Sequence, residues 1–259
     1  MSELAWKTAI TEIKPNEVRL RGYRIDELMG RVTMSQAVYL ALTGELPTPE
    51  VGNLLDAILV SSIDHGATPP CALAARTAAS TGAPLNAAVA AGLLSINRYH
   101  GGAIEDCMAV LEAGMDRARE TGSEFAKVAG ELVQEHRDAK KRIAGLGHRI
   151  HTEDPRTRRL FALADEAGIA AEGVEMIQAL REAMAASGKG LPINVDGAIA
   201  ALLIDMEMPR AIGNAFFMMA RVPGLVAQVH EEQIRERPMR RIHPTDHVYD
   251  GPEARSLTE

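Results

Sequence analysis

Aromatic side chains are almost missing from this sequence: Phe, Tyr and Trp make up 3% of its 259 residues. β-Sandwiches lean on aromatic and β-branched strands, whereas close-packed helices are readily built from Ala, Leu, Ile, Val and Met. The scarcity therefore points to an all-α fold. Cysteine is scarce too. Cys71 and Cys107 show no metal-ligand spacing and cannot make a disulfide framework of any size. The start, MSELAWKTAI, lacks the basic-then-apolar order of a secretory leader. No apolar run is read as reaching the roughly 20 residues that span a bilayer, and Arg76 and Asn86 interrupt the Ala-rich stretch 71–96. There is no low-complexity linker and no internal repeat. A basic excess is also lacking, and a net charge of -7 argues against a general nucleic-acid binder. The expectation is a cytoplasmic enzyme or binding protein with free thiols and neither a nucleic-acid nor a membrane partner, long enough for one large domain or two modest ones.

The positive charge that is present is gathered in two places. Lys140, Lys141, Arg142, Arg149, Arg156, Arg158 and Arg159 crowd one segment, and Arg235, Arg237, Arg240 and Arg241 a second. Such runs are either solvated helix ends or two walls of a site for a small polyanion. Helix signals recur along the chain. Thr33 and Gln36 form a capping-box pattern ahead of a helix that closes on Gly44. Thr48 and Pro49 open a helical pattern over 48–66, and Asp154 and Pro155 open another that stops at Gly168. Segments 194–206 and 210–234 are apolar enough for buried core helices. Strand signals are confined to about 11–25, which predicts at most a short N-terminal hairpin.

Four places set an ionisable group beside glycine or in an apolar setting: IDHGA with Asp64 and His65, NRYHGGA with His100, GLGHR with His148, and PINVDGAIAALL with Asp196. Each histidine reads equally as a structural residue at a helix end. Asp196 reads either as an N-cap or first-turn carboxylate or as a proton-transfer group whose pKa an apolar wall raises. His148 and His151 form H-x-x-H, but without a third ligand no metal is expected. Together, histidines able to polarise carbonyl oxygens, a carboxylate able to move a carbon-bound proton and arginines able to clamp carboxylates fit enolate chemistry beside a di- or tricarboxylate.

Several collinear motifs between residues 18 and 250 resemble the citrate synthase superfamily: RGY, the YL-L--GELPT spacing, DHG, HGGA, GLGHRIHTEDPR, NVDG and ARVPGLVAQVHEEQ. The resemblance implies an all-α, citrate-synthase-like two-domain helical fold. Residues 1–100 plus 208–259 would form the large domain and 101–207 the small one. It implies that His100 polarises the thioester carbonyl, that Asp196 exchanges the proton on the acetyl carbon, and that His148 hydrogen-bonds the oxaloacetate carbonyl or the hydroxyl it becomes. His65, Arg156 and Arg221 would bind substrate carboxylates, and Arg241 would reach a neighbouring subunit's site, which implies a homo-oligomer, at least a dimer. Gly145, Leu146, Gly147 and Arg149 would form part of the coenzyme A pocket.

Within the superfamily, the shorter chain, DHG, NVDG, and the HP--D--Y near the end are closest to the citryl-CoA lyase module of ATP citrate lyase and its stand-alone relatives. That module can carry Phe where this chain has His100, so synthase-type chemistry stays available. The implied reaction is citryl-CoA cleavage to acetyl-CoA and oxaloacetate, with a coenzyme A thioester as substrate and no permanently bound cofactor. A short citrate synthase, a lyase for a related acyl-CoA such as citramalyl-CoA, and a non-catalytic acyl-CoA-binding subunit are the alternatives.

Overall fold

The computed structural model describes residues 6–148, 152–240, 248, 250, 251 and 253. It begins with three short antiparallel strands, β1 (Thr11–Lys14), β2 (Glu17–Leu20) and β3 (Tyr23–Arg24), in the order β1-β2-β3. Pro15 followed by a left-handed Asn16, at φ 62°, suits a type II turn. Arg21 and Gly22, at φ 49° and 91°, supply the two positive angles of a tight hairpin turn. The expected hairpin is there, with β3 added to it. Beyond these strands the elements among the described residues are helices, the first being the one-turn α1 (Ile25–Leu28), in keeping with the all-α reading.

Capping chemistry sets where several helices begin. Ahead of α2 (Met34–Thr43), Thr33 Oγ1 accepts the Gln36 N–H at 3.3 Å while Gln36 Oε1 accepts the Thr33 N–H at 2.8 Å. A cap of this kind contributes about 1 kcal/mol. After it, Gly44 takes the left-handed conformation at φ 92°. α3 (Pro49–Ser61) starts on Thr48 as read, but stops at Ser61 rather than running to Gly66. A tertiary bond explains the early stop: the Ser62 carbonyl accepts from Arg221 Nε at 2.9 Å, from a residue far along the chain.

The remaining helices are α4 (Pro70–Ser80), α5 (Leu85–Leu94), α6 (Ala103–Thr121), α7 (Phe125–Asp138), α8 (Pro155–Glu166), α9 (Glu172–Ala186), α10 (Val195–Asp205) and, after a 3-10 turn at Arg210–Ile212, α11 (Gly213–Arg235). They pack in two groups. In one, α4 and α5 lie against each other and against α11, which also meets α3; in the other, α6, α7, α9 and α10 pack together. Contacts of α11 with α6, and of α8 with both α3 and α10, join the groups around one continuous core. α10 is apolar on every side, and Ala198 through Leu203 are fully buried at the centre of the second group.

α11 corrects one expectation. Arg210–Arg235 is, by length and composition, apolar enough to cross a membrane: an 18-residue window within it has a mean hydropathy of 1.2. In this fold it is a core helix, and its buried face carries Arg221, Gln228 and Glu232, each paired within the protein.

Candidate active site

The site forms where the ends of several elements meet. His100 lies on a tight turn between α5 and α6, closed by reciprocal backbone bonds: Asn97 and His100 each donate an N–H to the other's carbonyl at 2.8 Å. Gly101, at φ 78°, is pressed so closely on Ile96 and Phe217 that a Cβ there would come within 2.6–2.8 Å of their side chains. The Gly-Gly pair after His100 thus serves both the turn and the packing that aims the histidine ring. That ring meets Phe217 of α11 edge-on, centroids 5.8 Å apart.

His148 and Asp196 are brought together by a short antiparallel crossing of 145–147 with 192–194. Asn194 N–H donates to the Gly145 carbonyl at 3.0 Å and Gly147 N–H to the Pro192 carbonyl at 2.7 Å. Asn194 then does two further things. Its Nδ2 donates to the Gly147 carbonyl at 2.8 Å, and its Oδ1 accepts the Gly197 N–H at 3.0 Å, capping α10. Asn194 is therefore the N-cap, and Asp196 stands in the first turn behind it. Gly145 and Gly197 touch backbone to backbone, an approach that tolerates no side chain on either.

The arginines enter from two helices. Arg221, 3% exposed, donates from Nε to the Ser62 carbonyl and from Nη1 to Cys71 Sγ at 3.4 Å, with its guanidinium 4.6 Å from the centre of the Phe217 ring. Arg156, near the start of α8, is gripped by its own N-cap: Nε and Nη2 donate to the two Asp154 oxygens at 3.0 and 2.8 Å. His65, on the turn after α3, meets His148 edge-on with ring centroids 6.4 Å apart.

His65, His100, His148, Arg156, Asp196 and Arg221 all line one cavity of about 230 Å³. Arg98, Tyr99, Asn194 and Phe217 line it as well and were not read as site residues. Arg98 and Tyr99 belong to the NRYHGGA motif and Asn194 to NVDG, so their nearness to His100 and Asp196 is a usable signal; Phe217 needs the fold. Arg149 and Arg241 lie outside the described residues.

Burial organises the electrostatics. The Asp196 carboxyl is held above the usual carboxylate range by desolvation, against the pull of the Arg156 and Arg221 charges. Its Oδ1 is sealed from solvent with no hydrogen-bond partner, as is Nε2 of His100. Desolvation, then Arg221 and His65, keeps His100 below the ordinary imidazole range. His65 retains an exposed face, yet desolvation followed by Arg156 and Arg221 lowers it too. Burial thus shifts the Asp196 carboxyl and the His65 and His100 imidazoles toward their neutral forms, beside the two guanidinium groups.

Through His148 the cavity adjoins a larger groove of about 830 Å³, lined by Arg137, Lys140, Lys141, Arg142 and Lys189 and floored by Ile143, Leu146, Met184 and Leu191. Leu146 and Gly147 line this groove, whereas Gly145 faces inward against Cys107 and Gly197. A groove with an apolar floor and cationic rim suits a long ligand carrying phosphates. Among the described residues, no group of three His, Cys, Asp or Glu side chains is placed to hold a metal ion.

A family model described as "Citrate synthase, C-terminal domain" matches residues 47–245. In structure the chain is similar to citryl-CoA lyase from Hydrogenobacter thermophilus, with 40% identity, a TM-score of 0.89, and coverage of 98% of this chain and 97% of that one. It is 30% identical over 196 residues to citrate synthase of Haloferax volcanii, covering 74% of this chain and 49% of that protein. It is 32% identical over 204 residues to citrate/2-methylcitrate synthase of Bacillus subtilis, covering 76% and 51%. The chain spans about half the length of the curated relatives it matches.

Proposed function

The chain belongs to the citrate synthase family, and from that premise we propose that it is a citryl-CoA lyase, cleaving citryl-CoA to acetyl-CoA and oxaloacetate. The observation that carries the reading is the convergence of three histidines, two arginines and a sequestered aspartate on one small cavity beside a basic groove. The extensive likeness to a citryl-CoA lyase of nearly the same length supports it.

In this mechanism the thioester's coenzyme A arm lies along the groove, phosphates against Lys140, Lys141, Arg142 and Lys189, and the citryl head enters the cavity. Arg156 and Arg221 hold its carboxylates. His148 accepts the proton of the tertiary hydroxyl as the carbon–carbon bond breaks, so that the hydroxyl carbon becomes the ketone of oxaloacetate. The bonding pair passes to the acetyl fragment as an enolate, whose oxygen takes a hydrogen bond from Nε2–H of His100. Protonated Asp196 then delivers its proton to carbon, and the proton held on His148 restores the balance through solvent. Asp196 fits this step because burial favours its protonated form. The proposal extends to two lobes, 101–207 closing on the rest of the chain, and to a homo-oligomer in which Arg241 serves a partner's site.

The retained His100 and the synthase relatives favour one second reading, a short citrate synthase. The two separate on free thiol. Supplied with acetyl-CoA and oxaloacetate, a synthase releases coenzyme A continuously, whereas the lyase releases none above the uncatalysed rate.

Two outcomes are expected at the site. Arg156→Ala should raise KM for citryl-CoA about tenfold to a hundredfold, the effect of losing one charge-assisted contact. It should also lower Tm, since buried Asp154 loses its guanidinium; steady-state kinetics and a melting curve check both, and unchanged KM and turnover remove Arg156 from the site. The acid limb of kcat/KM should fall below pH 6.5, because His65 and His100 stay neutral to lower pH than an ordinary imidazole. An acid limb centred at or above that pH contradicts the assignment.

A further inference from the structure

His65 stands on a stretch with neither helix nor strand to hold it: α3 has ended at Ser61 and α4 starts only at Pro70. A side-chain relay does the holding. Asp64 Oδ2 accepts the Gly66 N–H at 2.9 Å, closing the turn from within. From outside, Gln228 Nε2 on α11 donates to both Asp64 oxygens, at 3.3 and 3.2 Å. A glutamine amide can present either end, but here its direction is dictated. Arg76 Nη1 on α4 donates to Gln228 Oε1 at 2.7 Å. A guanidinium only donates and a carboxylate only accepts, so the amide between them has one satisfied orientation. Arg76 is fixed in turn, its Nε donating at 2.8 Å to Glu232 Oε2, while Arg240 Nε donates at 2.8 Å to the other Glu232 oxygen. Gln228 and Glu232 are 9% and 2% exposed and lie one helical turn apart. A buried polar chain of this kind is favourable only when its members are paired, as these are.

We propose that Gln228 is a positioning residue for His65, acting through Asp64 and oriented by Arg76. Past Ile63 the turn carrying His65 is closed by the Asp64 side chain, which accepts the Gly66 N–H, so the Asp64 anchor sets where the imidazole stands relative to His148. Loss of the amide donor frees the carboxylate to rotate into solvent and carries the adjacent histidine with it. The kinetic consequence rests on the reaction proposed above; the positional one does not.

The test uses the full chain with carbon-13-labelled histidine, the His65 ring signal assigned from His65→Asn. Gln228→Leu removes the donor at similar volume, Asp64→Asn removes its charged acceptor, and the double variant combines them. Each single variant is expected to shift or broaden the His65 signal at neutral pH. Each should also raise KM for citryl-CoA about tenfold, the size of one lost charge-assisted bond, with kcat less affected. The double variant should be no worse than the worse single one, because both break the same link. An unmoved His65 signal, an unchanged KM or additive effects overturn the proposal. Should Gln228→Leu fail to fold, Asp64→Asn, on the surface turn, decides alone. Should the wild-type chain leave citryl-CoA intact, the proposed reaction falls, and the resonance data still decide the positioning role.

Discussion

Asp196→Asn is expected to lower citryl-CoA turnover ~100-fold or more, the usual consequence of losing a general acid, while leaving the protein at least as stable. The activity loss follows because an amide has no proton to give to carbon. The stability result follows from the same burial. Desolvation raises the Asp196 pKa above its usual 3.8 in the folded chain. A carboxyl shifted in that direction binds its proton more tightly folded than unfolded. Its favourable contribution is therefore complete below pH 3.8 and is lost as pH rises through the raised folded value. At neutral pH, above the unfolded value of 3.8, the wild-type chain has lost stability that asparagine, which does not titrate, keeps. Melting curves should place the variant at or above wild type at pH 7–8, with the gap closing as pH falls toward 4. A variant with near-normal turnover, or one that melts well below wild type at neutral pH, contradicts the assigned role and environment.

The second large effect needs no ionisable group. Gly197→Ala would drive a methyl group into the Gly145 carbonyl, with the Gly145 Cα and Ile177 Cδ1 both 2.9 Å away. Two of those three neighbours are backbone and cannot swing aside. Overpacking of this severity costs about 3 kcal/mol, which lowers Tm of a chain this size by about 6–12 °C. The displaced backbone is the segment that Asn194 ties down at Gly145 and Gly147, immediately before His148. A displacement of about 1 Å there is expected to cost turnover about 100-fold. Gly130→Ala serves as the control: it lies within α7, a Cβ meets nothing within 4 Å, and the change should be neutral or stabilising by up to about 1 kcal/mol. Equal melting points and rates for the two variants would mean that the Gly145–Gly197 contact is not the constraint described.

Both effects arise from contacts that the sequence announced only in part. Thr33 with Gln36, Thr48 with Pro49, and Asp154 with Pro155 each carry their helix start within a few residues, and all three appear as read. The early stop of α3 was not legible, because its cause is Arg221, a residue remote in sequence. The segment that forms α11 combines the apolar pattern of a core helix with membrane-like hydropathy, and its buried polar residues act by long-range pairing that composition does not record. In the cavity, the histidines and Asp196 announced themselves by standing beside glycine or in apolar surroundings. Asn194 looked like part of a motif, and its work in binding the His148 segment to the start of α10 depends on a crossing between distant stretches. The close approach of Gly145 to Gly197 and Cys107, where only a bare backbone fits, is likewise a contact between distant stretches. What the residues alone could not supply was convergence, and convergence is what gives Asp196 its environment.

The most direct measurement is to supply the purified chain with citryl-CoA and identify the products by mass. Acetyl-CoA and oxaloacetate in equal amounts, lost on Asp196→Asn, is the predicted result. Free coenzyme A and citrate above the no-enzyme level, or citryl-CoA left intact, would contradict the proposed carbon–carbon cleavage.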